Sequence, residues 1–261
     1  LKKSEPQIKQ AVGVWDLHYE KRHHATVKCF MQYCEENPPD YFIFGGDQFH
    51  FDSISHHTKH TPIYRTRRSY LNAIEGFDAD ILTPLEKLLP KHCVKVWIIG
   101  NHEDWEQDLI NENPELEDAI GHVKLLRLKE RGWIVIPLGH SYKLGKLTCC
   151  HGEILSGIGN QAGLYPSRKA VDLYGTSVLA GHTHAPQSFT KVAPVEQVQK
   201  LQGFISPIAG NVNPEYLRNR PTAWLNGFNI IDVFPNGNFN YYAVNVFNGV
   251  CSFNKKVYGG Q

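Results

Sequence analysis

The chain has 261 residues, 41% of them apolar and 20% charged, enough to bury a sizeable core as one large domain or two small ones. Its 27 basic and 26 acidic side chains leave a formal net charge of +1, which does not indicate a globally basic nucleic-acid binder. No apolar run reaches the roughly eighteen residues of a membrane span, and no signal-peptide core follows Lys2 and Lys3, so a cytoplasmic protein is expected.

In chain order, five short apolar runs each end in polar, chemically loaded residues. The run at 11–15 leads into Asp16-Leu17-His18, and the run at 41–44 into Gly45-Gly46-Asp47. The run at 94–99 leads into Gly100-Asn101-His102-Glu103, that at 147–150 into His151-Gly152, and that at 177–180 into Gly181-His182-Thr183-His184. Continuous runs of this kind, rich in Val, Ile and aromatics, predict buried strands. Between them, Val27, Phe30, Met31 and Cys34 mark one face of a helix that stops before Pro38-Pro39. Leu71, Ile74, Ile81, Leu85 and Leu88 predict further helix, broken in two by Pro84. Alternating strand and helix predicts an α/β sheet with parallel pairs, whose ligands gather outside the carboxyl ends of the strands. All five polar clusters fall there.

After His184 the runs at 204–208, 224–234 and 239–247 read as strands, separated by turn signals such as Pro235-Asn236-Gly237-Asn238. They are expected to complete a second sheet over about 203–258. With no internal repeat and no low-complexity linker, residues 1–261 read as a single domain. Leu1 opens the chain and Met31 is the only methionine, so the start reads as processed or trimmed.

Six cysteines show no CxxC pairing and read as reduced core residues. Fourteen histidines, about twice ordinary usage, direct attention to metal chemistry. Mixed imidazole and carboxylate donors favour Mn, Fe, Zn or Ni over Mg or Ca. Gly46, Gly100 and Gly181 are expected to let the backbone turn sharply where strand becomes loop.

The ordered pattern DxH, GD, GNHE, H, GHxH resembles the calcineurin-like metallophosphoesterase superfamily, through motifs from about Val12 to His184 and beyond them through layout only. The resemblance implies an α/β/β/α sandwich, two facing mixed sheets flanked by helices, with two divalent metals at the strand ends. Carried over position by position, Asp16, His18 and His184 hold one metal, Asn101, His151 and His182 the other, and Asp47 bridges both. His102 then serves as general acid or phosphate-orienting group. Two metals about 3.5–4 Å apart activate a bridging hydroxide and neutralise a phosphoryl transition state. The stretch 47–57 and the tail 221–228 are similar to phage-encoded members, associated with nucleotide or nucleic-acid diester chemistry; that origin implies the cytoplasm of a bacterial host.

Substrate selection draws on two segments of opposite sign. Residues 53–73 carry Lys59, Arg65, Arg67, Arg68 and three histidines but no acid, and read either as a phosphate-holding rim or as a solvated loop. Residues 103–118 carry eight acids and no Lys or Arg, suited to capping a helix start and to solubility. His50 stands three after Asp47 as a further candidate substrate contact. The Asp-Arg-Gly of protein phosphatases is replaced by Asp47-Gln48-Phe49-His50-Phe51-Asp52, which demotes that activity. Tyr216, Arg218, Arg220 and Trp224 suit a pocket with a stacking face for a base, against an ordinary packing role for Trp224. The expected activity is therefore a Mn-supported phosphodiesterase. A phosphomonoesterase, a nucleic-acid-binding module with residual catalysis and a metal-stabilised protein scaffold are the alternatives.

Overall fold

The structure, a computed structural model, describes residues 7–55, 58–59, 62, 68–117, 119–156, 164–192, 200–218 and 220–260. Strands β1 (Lys9–Val14), β2 (Tyr41–Gly45), β3 (Val94–Ile98) and β4 (Trp133–Ile136) lie side by side in parallel. Strands β5 (Tyr142–Leu144), β6 (Leu147–Cys149), β7 (Ser177–Ala180), β8 (Gln187–Val192) and β9 (Lys200–Ile205) form a second sheet in the order β5-β6-β7-β9-β8. In it β6, β7 and β9 are parallel, and β5 and β8 run antiparallel at the edges.

The expectation that 203–258 would complete the second sheet holds only for β9. Strand β10 (Gly227–Val233) pairs antiparallel with β1, with Ala11 opposite Ile231, and β11 (Phe239–Asn245) pairs with β10. The first sheet is thus six-stranded, in the order β11-β10-β1-β2-β3-β4. Apolar content on both faces of β10 explains the placement. Phe228 and Ile230 join the helix-side core, and Ile231 and Val233 join the core between the sheets. A strand at the edge of the smaller sheet would leave one of those faces uncovered. The hairpin of β12 (Val250–Phe253) and β13 (Lys256–Gly259) packs on Tyr33, which meets Phe253 and Tyr258 edge-on.

Successive residues of a strand point to opposite faces, and the two cores follow that alternation. Phe42 and Phe44 of β2 face the helices, whereas Ile43 faces the second sheet. Helix α1 (His24–Glu36) buries Thr26, Cys29, Phe30, Tyr33 and Cys34, while Val27 and Met31 of the predicted face are only partly buried. Helices α2 (Arg68–Phe77) and α3 (Thr83–Leu88) are joined by a π-helical turn, Asp78–Leu82, in which the Thr83 N–H donates to the Asp78 carbonyl. Pro84 therefore sits within a continuous helical run rather than breaking it in two, its missing N–H falling in the first turn of α3. Helix α4 (Asn101–Glu112) follows β3 directly, and α5 (Pro166–Tyr174) covers the outer face of the second sheet, where Ala170 packs with Val178 and Ile205. The layers read helix, sheet, sheet, helix, as expected. No helix among the described residues is long and apolar enough to cross a membrane.

Candidate metal centre

Three parallel neighbours, β1, β2 and β3, end at one rim of the first sheet and deliver Asp16, His18, Asp47 and Asn101. Strands β6 and β7 end at the facing rim and deliver His151, His182 and His184. Hydrogen bonds tie the strand ends of the first rim to one another and the two rims to each other. The Asp16 N–H donates to the Gly46 carbonyl at 3.0 Å, and the His18 N–H to the Asp47 carbonyl at 2.9 Å. The His182 N–H donates to the Asp16 carboxylate, and the buried Trp15 indole N–H to the Cys150 carbonyl at 2.9 Å. Trp15, absent from the sequence expectations, thus links the strand end bearing Asp16 to the one bearing His151.

Five of the seven candidate ligands, Asp16, His18, Asp47, His182 and His184, have left-handed backbone with φ between 44° and 62°. That region is costly for most side chains, and such residues concentrate at functional sites. Gly46 also has positive φ, at 99°. Gly100 and Gly181 do not, and their role corrects the expectation of sharp turns: a Cβ at Gly100 would overlap Asp47, and one at Gly181 would overlap the Asp16 carboxylate.

The donor atoms converge in two groups with Asp47 between them. Nε2 of His18 and Nε2 of His184 lie 3.4 Å apart, and His184 Nε2 is 3.3 Å from Asp16 Oδ1. In the other group, Asn101 Oδ1 is 2.9 Å from both His151 Nε2 and His182 Nδ1, which are 3.3 Å from each other. Asp47 Oδ1 accepts from the His102 N–H at the start of α4. This leaves Oδ2 3.4 Å from His151 Nε2 and 4.0 Å from His18 Nε2. The outward nitrogens are engaged elsewhere, His151 Nδ1 with the Gly45 carbonyl at 3.3 Å and His182 Nε2 with the Ser156 hydroxyl. Lone pairs aimed at one another across 3.3–3.4 Å are the arrangement a shared cation requires, and the imidazole, carboxylate and amide-oxygen donors suit a first-row divalent ion.

Electrostatics point the same way. Burial alone would raise Asp47, but His151 and His102 hold it well below the usual carboxylate range. Burial would lower His151, yet the Asp47 charge lifts it to about 10. Burial and the His102 charge push His18 well down, while burial and His151 bring His182 to about 4. Without metal, one proton on His151 balances Asp47 and the flanking imidazoles keep free lone pairs. Glu103 is 1% exposed; burial and Asp47 push it up to about 7, while its carboxylate accepts from the N–H groups of Asp47, Phe49 and Gly100 at 2.7–3.0 Å.

The family model for calcineurin-like phosphoesterases matches residues 16–186. This chain belongs to the calcineurin-like phosphoesterase family. No curated protein gives a significant match. Among solved structures, Vps29 from Cryptosporidium parvum is similar at 12% identity and TM-score 0.48, covering 97% of this chain and 99% of its own. Zn-complexed Vps29 from Entamoeba histolytica gives 11% identity and TM-score 0.46, covering 93% and 96%. A metallophosphoesterase from Sphaerobacter thermophilus gives 15% and 0.43, covering 91% and 88%. Family membership rests on the sequence match, not on these likenesses.

Around the candidate centre the proposed substrate residues fare unequally. His50 is 6% exposed, with Nδ1 3.4 Å from His18 Nδ1 and Nε2 3.1 Å from Asp52, so both ring nitrogens face protein groups. Arg65, Arg67 and the side chains of Arg68 and Tyr216 lie outside the described residues. Lys59 pairs with Glu112 of α4 at 2.7 Å, bringing the basic segment onto the acidic one. Arg218 and Arg220 are exposed, and the Trp224 ring meets His184 edge-on at 4.4 Å. Lys21 and Asn211 line the same small cleft as His18, His50, His184 and Trp224. Neither residue belongs to a motif, and only folding places them there.

Proposed function

We propose that this phosphoesterase hydrolyses phosphodiesters of nucleotides or nucleic acids with two divalent cations, manganese being the favoured ion. Asp16, His18 and His184 would hold one and Asn101, His151 and His182 the other, with Asp47 shared. The observation that carries the reading is the convergence of the seven donors in two adjoining groups, with Asp47 Oδ2 facing both. Such cations supply Lewis-acid charge, which lowers the pKa of water and stabilises developing charge on phosphoryl oxygens.

The protein's own groups do the positioning. His102 donates Nδ1–H to the His50 carbonyl at 2.7 Å and packs on Trp105, which fixes Nε2 at 3.8 Å from Asp47 Oδ2. With 18% of its side chain exposed, His102 can reach a phosphoryl or leaving oxygen from the open side. Lys21 brings one ammonium to the described cleft, and Trp224 gives the ester's organic part an aromatic wall. A diester carries a single negative charge where a monoester carries about two. One lysine, with no arginine among the described cleft residues, therefore favours the diester.

Hydrolysis of bis-p-nitrophenyl phosphate and p-nitrophenyl phosphate by metal-stripped, Mn-reloaded protein tests this, with Asp47→Ala as control. A Mn-dependent rate favouring the diester, at least 100-fold lower in Asp47→Ala (about 10²; 2.7 kcal/mol or more), is expected. Monoester preference would overturn the substrate class, and undiminished activity after EDTA would overturn the metal mechanism.

A further inference from the structure

His50 is the imidazole that the family pattern leaves without a role, and its surroundings fix what it can do. The Glu20 carboxylate accepts from the N–H groups of His50 at 2.8 Å and Phe51 at 2.9 Å. The His50 carbonyl accepts from His102, and its ring sits between Asp52 and His18. Backbone and side chain are therefore held from four directions.

Hydrogen-bond chemistry then determines the tautomers along the row. Asp52 is a carboxylate and can only accept, so His50 donates to it from Nε2. Nδ1 of His50 then carries a lone pair and must accept, which places a proton on His18 Nδ1. That leaves the lone pair of His18 on Nε2, the atom facing His184 and Asp47. Among the described residues, the other proposed ligand imidazoles lack such a row. His151 leans on a backbone carbonyl and His182 on a serine hydroxyl, and His184 Nδ1 is buried with no hydrogen-bond partner among the described residues.

We infer that Asp52 and His50 form a carboxylate–imidazole relay that sets the tautomer and basicity of His18, and so selectively strengthens metal binding by the Asp16–His18–His184 group. His50 and Asp52 are thus positioning residues that act through His18. The inference rests on the metal reading of the site given above. Groups that orient a ligating histidine typically change metal affinity by about 10–100-fold when removed, and the relay confines that loss to one of two sites.

Calorimetric titration of Mn into the metal-stripped chain tests the relay, together with ¹⁵N imidazole shifts of the metal-free protein. Wild type is expected to take up two equivalents and to show His18 protonated at Nδ1. His50→Ala should weaken one equivalent by about 10–100-fold while leaving the other nearly unchanged, and His18 should become a mixture of tautomers. His50→Asn, whose amide oxygen can accept from His18 Nδ1–H, should recover most of the affinity, a rescue that a merely structural role does not predict. Equal affinities in wild type and His50→Ala would overturn the relay. So would three equivalents in wild type falling to two in His50→Ala, which would make His50 a direct ligand. If wild type binds no metal, the phosphoesterase reading fails, and the His18 tautomer alone still decides the relay: protonation at Nε2 would refute it.

Discussion

Glu103 shows how one side chain can hold a centre together without touching its chemistry. Its buried carboxylate accepts three backbone N–H groups, two from the loop after β2 and one from Gly100 at the start of α4. It thereby clamps the Asp47 loop to the helix that presents Asn101 and His102. Removing the acceptor leaves three buried donors unpaired, at about 1–3 kcal/mol each. Glu103→Ala should therefore lose about 3 kcal/mol or more in urea denaturation, with an unchanged m-value. Glu103→Gln, which keeps one accepting oxygen, should lose less. A loss below about 1 kcal/mol in the alanine variant would show that the N–H groups find other partners. The helix-capping role expected of the eight acids holds for Glu103, which accepts from the Gly100 N–H, but the solubility role does not, because the side chain is buried. Its inward turn, like that of Glu106, depends on partners at positions 47, 49, 70 and 122, which no local pattern reveals.

At the scale of elements, β1, β2, β3, β6 and β7 were legible because each is an apolar run largely buried on both faces, and the motif residues followed from where those runs end. Strands β4, β5, β8, β12 and β13, short or largely exposed, formed no part of that expectation. The partners of the C-terminal strands were not legible, because a run buried on both faces fits either sheet until β10 is paired with β1. Nor did periodicity show how α2 and α4 are joined. Tyr70 O–H of α2 donates to Glu106 of α4 at 2.6 Å, and Glu106 also accepts from His122 Nδ1 at 2.7 Å. His122 is 2% exposed; burial works against its charge, but Glu106, aided by Glu103, raises it above its ordinary value. A histidine raised in the native state contributes most below the unfolded value of about 6.5, and loses that contribution as pH climbs through the native value. His122→Gln should consequently cost more stability near pH 6 than near pH 9, by on the order of 1 kcal/mol. Paired urea titrations of wild type and variant at the two pH values measure the difference. Equal costs at both would mean that His122 is uncharged throughout.

For the molecule as a whole, the facing rims of the two sheets carry Asp16 and Asp47 into a buried site, both within 2% exposure. Buried carboxylates are tolerated only with compensating charge, and the metal-free protein offers Asp47 chiefly His151 and His102. Trp15 and backbone hydrogen bonds join the rims without metal, so the sheets should stay folded when it is stripped. Cations bound across the rims, as proposed above, would add linkage free energy, about 2.7 kcal/mol per site at a free concentration 100 times its dissociation constant. Two such sites give about 5 kcal/mol, which for a chain of this size raises the melting midpoint by on the order of 10 °C. EDTA should lower the midpoint by that amount reversibly, with the far-ultraviolet circular dichroism of the native protein retained at 25 °C (about room temperature). Asp47→Ala, lacking the shared carboxylate, should show little of the metal-dependent rise. Scanning calorimetry of both proteins, stripped and Mn-loaded, separates the possibilities. A midpoint indifferent to manganese in wild type would mean that the seven donors do not bind it tightly, whereas loss of the native signal on stripping would make the metals part of the folding core.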